Sequence, residues 1–159
     1  MSRIGTIVLA LTLGLLLAAS PSWAKDKKEK AIPDITGIWK GVSDSVAMGK
    51  LGHTDATDAP KFLHVEWTLT IDKQEGRAFH GTKTSARAKE TVVGVVDGAK
   101  LYMADDDGVY VGKLTSKNRL ILQYLEAGKD SKVASITSYA REGAQDDTRE
   151  QTPNAPQAQ

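Results

Sequence analysis

The chain is 159 residues long, enough for one domain of ordinary size, and carries 21 basic against 20 acidic side chains. That balance excludes the surplus of Lys and Arg with which a nucleic-acid binder displaces counterions from phosphates. The lack of cysteine excludes disulfides, thiolate metal sites, a cysteine nucleophile and a lipidated cysteine.

In chain order, the first element reads as an address. Arg3 is the only charge before Lys25, and Ile4 to Ala19 is an unbroken run of apolar and small residues. Ser20-Pro21-Ser22-Trp23-Ala24 follows with a helix breaker and with small residues at the two positions that signal peptidase reads. Residues 1–24 are therefore expected to be a secretory signal cleaved after Ala24, and the protein to be periplasmic or secreted. The apolar run falls just under the roughly 17 to 25 residues needed to cross a bilayer, so no integral span is expected after cleavage; an uncleaved anchor is the alternative. Residues 25–33 hold the charge run Lys25-Asp26-Lys27-Lys28-Glu29-Lys30, and residues 143–159 are rich in Gln, Asp, Pro and Ala without apolar periodicity. Both are expected to be disordered, as linker and tail, around one domain spanning 34–142.

Within that domain apolar residues recur at every second position. Leu63, Val65, Trp67, Leu69 and Ile71 alternate with His64, Glu66, Thr68, Thr70 and Asp72, the period of a strand with one wet face. Strand-like runs are Ile35 to Val46, the Leu63 to Ile71 run, Arg77 to Thr84, Glu90 to Val96, Lys100 to Ala104, Val109 to Leu114, Arg119 to Leu125 and Lys132 to Ala140. Between them stand Glu75-Gly76, Asp97-Gly98, Asp106-Asp107-Gly108, Ser116-Lys117-Asn118 and Gly128-Lys129-Asp130, which is hairpin chemistry. Short turns force antiparallel neighbours. The expected fold is all-β, an eight-stranded antiparallel up-and-down barrel (a meander) whose closure hides the sheet edges, with an open sandwich as the alternative.

The one long connection, Ala47 to Lys61, carries His53, Asp55 and Asp58 and is expected at the barrel mouth, as a functional loop or as a plain surface excursion. Val92-Val93-Gly94-Val95-Val96 and Leu120-Ile121-Leu122-Gln123-Tyr124-Leu125 are apolar at both parities, which predicts cover on both faces. A homo-oligomer through strands 90–96 and 119–125 is the expected source of that cover.

Gly37-Ile38-Trp39 at the start of the first strand resembles the Gly-x-Trp signature of the calycin superfamily, which holds lipocalins, fatty-acid-binding proteins and avidins. The resemblance implies that Trp39 closes the barrel floor and that Arg141, at the end of the last strand, lies across it as a cation on an aromatic face. The closest local likeness is to avidins, over roughly Asp34 to Ser85, through Ile35-Thr36-Gly37-Ile38-Trp39 and Thr68-Leu69-Thr70-Ile71 to Gly81-Thr82. It places Ser45 and Ser85 on ligand-facing serines. Gly41 and Lys83 stand where that family has a polar contact and a tyrosine, and no tryptophan follows Trp67. The resemblance thus implies the fold and not biotin.

If Trp39 faces inward, parity brings Gly41, Ser43 and Ser45, the Leu63 to Ile71 series, and Phe79, Gly81, Lys83 and Ser85 to the lumen. Glycines at 41 and 81 are expected to leave space there. Lys83 is either desolvated near the open end, with an anionic partner to find, or turned out to solvent by a bulge. Tyr102, Tyr110, Tyr124 and Tyr139 are expected in the barrel wall. The candidate ligand-binding set is Ser43, Ser45, Trp67, Phe79, Lys83, Ser85 and Tyr124, with Gly37, Trp39 and Arg141 as barrel-closing residues.

Catalytic signatures are not found: the sequence has no Gly-x-Ser-x-Gly elbow, His-Glu-x-x-His helix, Gly-rich phosphate loop or Rossmann fingerprint. His64 and His80 have wet parity, which leaves no zinc set. Asp105-Asp106-Asp107-Gly108 lacks calcium-loop spacing and reads as a hairpin turn with Gly108 at positive φ. Asp44, Asp55 and Asp58 are acids near the mouth whose separation sequence does not give. No catalytic residue, metal or cofactor is assigned. The expected function is a binding module for a small, partly apolar ligand, and the alternative is a structural or protein-interaction module of the cell envelope with a solid-packed barrel.

Overall fold

The computed structural model describes residues 31–51 and 57–144. Residues 1–24, most of the linker and the tail from 145, together with His53 and Asp55, lie outside the described residues. Eight strands follow one another: β1 (Gly37–Gly49), β2 (Thr57–Glu75), β3 (Ala78–Thr84), β4 (Lys89–Asp97), β5 (Lys100–Ala104), β6 (Val109–Ser116), β7 (Arg119–Ala127) and β8 (Ser131–Arg141). Each pairs antiparallel with its chain neighbours, and β8 returns to β1, closing a barrel in sequence order. Eleven residue pairs, from Trp39↔Arg141 to Gly49↔Ser131, make that closing seam.

Closure follows from the pattern of side chains. Alternation puts Trp39, Leu69, Ile71, Phe79, Val92, Val96, Leu101, Met103, Tyr110, Leu120, Leu122 and Tyr139 on the inner face, where with Ile35 they form one buried cluster. Gly76 and Gly98 sit at positive φ in two-residue turns after Glu75 and Asp97, the geometry that matches the twist of flanking strands.

Several expectations need correction. The described residues of the Ala47 to Lys61 connection are mostly strand: β1 runs to Gly49, β2 starts at Thr57, and Gly49↔Thr57 pair across an irregularity that absorbs Asp58, Ala59 and Pro60. A bulge is where a proline fits inside a ladder, because no amide hydrogen is required there. Gly108 is not among the glycines at positive φ. A Cβ there would come within 2.6 Å of the Leu125 carbonyl oxygen and of the Tyr124 ring, so close packing excludes a side chain. Gly41, which borders the cavity, and Gly81 also answer to close packing: a Cβ would meet the Ser138 carbonyl oxygen at 2.4 Å and the Thr70 carbonyl oxygen at 1.9 Å. Glycine lets adjacent strands approach and coil at these points. The outer faces of β4 and β7 are open in the single chain, with Val93 56% and Leu125 58% exposed.

Candidate functional site

The two ends of the barrel are built differently. At the Trp39 end the segment Pro33 to Thr36 packs in through Ile35, which is buried and donates its amide hydrogen to Gln74 Oε1 at 3.0 Å. Gln74 Nε2 in turn donates to the carbonyls of Pro33 and Gly76. Trp39, fully buried, donates its indole N–H to the Ile35 carbonyl at 3.0 Å. Arg141 stacks on it, with Cζ 4.3 Å from the ring centroid. Its guanidinium donates to the carbonyls of Asp34, Thr36 and Lys117. Gly37 stands at φ 111°, a conformation that lets the chain turn from the plug into β1 beside Arg141.

At the other end a concavity of about 1160 Å³ takes in the lumen and runs out over the rim: Ser45, Ala47, Leu63, Val65, Trp67, Lys83 and Tyr124 line its inner part, and the exposed Lys40, Val42, His64 and Glu66 border its outer part. Trp67 and Tyr124 also pack on the buried cluster, so they form the cavity floor. Among the described residues the barrel is packed around Trp39 and hollow around Trp67. Beneath the floor, Ser43 Oγ accepts the Trp67 indole N–H at 3.3 Å and the Ser45 hydroxyl at 3.0 Å. Tyr139 Oη is buried with no hydrogen-bond partner among the described residues.

Lys83 is the central charge of this region. Its side chain turns inward, against the solvent-facing reading, and is 5% exposed. The ladder irregularity that a turned-out Lys83 would require occurs instead in β2, between Ile71 and Lys73. The ammonium lies 3.2 Å from the Trp67 ring centroid, 5.2 Å from that of Tyr110 and 5.6 Å from that of Tyr124. Glu90 on β4 lies 3.8 Å away. The anionic partner is thus supplied by the chain itself. Desolvation lowers the Lys83 pKa to about 8, opposed by the negative charges of Glu90 and Asp105.

The tyrosines complete the cage. Tyr110 and Tyr124 are tilted against each other with centroids 4.5 Å apart. Tyr110 donates its hydroxyl proton to Asp105 Oδ2 at 2.5 Å, and Asp105 Oδ1 caps the β5–β6 turn by accepting from Asp107 and Gly108. Tyr124 donates to Glu126 at 3.3 Å. Burial first, then the neighbouring carboxylates, pushes both phenols far above their usual value, so both stay protonated donors.

The remaining candidates fall elsewhere. Phe79 belongs to the buried cluster and not to the cavity wall. Ser85 borders the cavity, but its hydroxyl oxygen accepts from Arg87 and Ala88 and so caps the β3–β4 turn. Asp58 is exposed, and Asp44 pairs with His64 at 2.7 Å on the outer surface, so these acids form no pair with each other. Tyr102 points outward. Sequence reasoning missed Glu90 and the second role of Asp105. Glu90 shares parity with the buried Val92 and Val96, a signal concealed because β4 is apolar on both faces. Among the described residues no group of three or more His, Asp or Glu side chains converges as a metal site.

The class that these observations define is a closed eight-stranded antiparallel up-and-down β-barrel. No protein-family model matches the chain, and no curated protein matches it by sequence.

Proposed function

We propose that this chain is a calycin-like binding protein of the periplasm or the extracellular space that takes a small, partly apolar ligand into the open half of its barrel. The observation that carries this reading is the cavity above Trp67 and Tyr124, the inner part of a concavity of about 1160 Å³ that continues over the rim, with Leu63 and Val65 as apolar wall and Ser45, Lys83, Glu90 and Glu126 as polar points. Ligand sites are concave, mostly apolar and marked by a few convergent polar groups. Because Glu90 already faces the Lys83 charge, the reading favours an uncharged ligand over an anionic one. The signal-like N-terminus supports export, and the Gly37, Trp39 and Arg141 arrangement supports the calycin likeness. Native mass spectrometry of protein purified from its own host is expected to show a bound small molecule, and a thermal-shift panel of neutral apolar compounds to raise Tm. A lumen that binds none of them sinks the reading.

A second reading rests on the outer surface. Val93, Ala104, Val109, Leu125 and Ala134 are successive cross-strand partners around the outside of β4 to β8, and Val95, Tyr102 and Val111 form a parallel row. Monomeric proteins rarely expose a continuous apolar band. Self-association through 90–96 and 119–125, or an envelope partner, would cover it; a monomer by sedimentation at tens of micromolar together with no cross-linked adduct in cells would remove this reading.

A further inference from the structure

We propose that Lys83 captures carbonyl compounds: held between Trp67, Tyr110 and Tyr124 with Glu90 beside it, its amine forms a reversible imine with an apolar aldehyde lodged in the lumen. The inference rests on the lumen-binding reading and names the ligand class for it.

The geometry supplies each requirement. An amine becomes a nucleophile when it is desolvated in an apolar pocket. Lys83 is buried, its amine lies against the Trp67 ring, and the residue is part of the cavity lining where a ligand would sit. The other lysine bordering the cavity, Lys40, is 61% exposed and pairs with Glu142. Groups facing Lys83 are the Glu90 and Asp105 carboxylates and the Trp67, Tyr110 and Tyr124 rings. Both phenols are donors engaged with carboxylates, and the Glu90 carboxylate, 3.8 Å from the amine, serves as the proton acceptor of the step. A pKa near 8 provides far more free amine at neutral pH than an exposed lysine has.

The step balances. Glu90 takes a proton from the Lys83 ammonium, the nitrogen lone pair forms a C–N bond to the carbonyl carbon, and the C=O π pair moves to oxygen. Glu90 returns the proton to that oxygen and takes a second from nitrogen, giving a neutral carbinolamine. Glu90 then protonates the hydroxyl, which leaves as water as the nitrogen lone pair closes the C=N bond. The products are a protonated imine and water. No redox change occurs, and the positive charge stays beside the Glu90 carboxylate, so the ion pair survives capture.

The test uses the full chain, octanal as probe, cyanoborohydride to fix any imine, and octanol as a neutral ligand lacking the carbonyl. Intact mass and peptide mapping are expected to find one octyl group per chain, on Lys83, added at near-neutral pH about tenfold faster than at any exposed lysine. Lys83→Met and Lys83→Arg are expected to lose that adduct while keeping the β-sheet circular dichroism of the parent chain, and Glu90→Gln to slow it. Octanol binding with octyl groups scattered evenly over surface lysines overturns the inference and leaves the lumen-binding reading intact. Failure of both octanol and octanal to bind overturns both.

Discussion

The plugged end and the open end of this barrel handle buried polar groups in opposite ways. At the plugged end the Trp39 indole, the Gln74 amide and the Arg141 guanidinium each donate to backbone carbonyls, and Arg141 adds a stacked contact 4.3 Å from the Trp39 ring. At the open end Lys83 is held by aromatic faces and by a carboxylate 3.8 Å away, a longer and less complete arrangement. Satisfied polar groups fix structure, whereas an incompletely solvated buried charge costs stability and retains reactivity. In this contrast the plugged end holds the barrel closed, and the other end is where the proposed ligand would lodge.

The largest effect that would break this contrast is at the plug. Trp39→Ala removes a fully buried indole and the surface on which Arg141 rests, and is expected to cost about 3 to 5 kcal/mol of unfolding free energy by denaturant titration. A loss below 1 kcal/mol would show that the floor does not hold the barrel.

Next comes the pH dependence of the open end. The folded-state pKa of Lys83, about 8, lies below its ordinary value of 10.5, so the unfolded chain binds the extra proton between those two values. Stability therefore rises with pH across that window: the cost of burying the charge is fully present below pH 8 and is relieved as the amine deprotonates. Equilibrium unfolding from about pH 7.5 to 9.5 should show a gain of roughly 1 to 3 kcal/mol attributable to this group, absent in Lys83→Met. An identical slope in the variant would mean that Lys83 is not the desolvated group.

The smallest effect sharpens the account of the plug. Arg141→Lys keeps the charge but loses the planar fork that reaches the carbonyls of Asp34, Thr36 and Lys117 together, and is expected to lower stability by about 1 to 2 kcal/mol. Unchanged stability would reduce Arg141 to a surface charge.

Much of the fold was legible because a strand period of two needs no tertiary information. Leu63 to Ile71 alternates cleanly, and glycine and Asn turns separate the runs, so strand order and closure follow from short connections. The site was legible only in part. Ser45, Trp67, Lys83 and Tyr124 meet at the cavity, but Glu90 was concealed in a strand apolar at both parities, and Asp105 looked like turn chemistry alone. Phe79 has inward parity yet lies in the packed half, because parity gives the face of a residue and not its height along the barrel axis.

The sequence by itself determined the class of secondary structure, the meander and the residues that face inward, since alternation and turn residues act over a few positions. Only the tertiary structure decided which inward residues are packed and which border empty space. It also decided that Lys83 finds Glu90 and three rings, and that Gly41, Gly81 and Gly108 serve close approach of backbones. Those outcomes depend on register and coiling between strands, which are set when all eight close on one another.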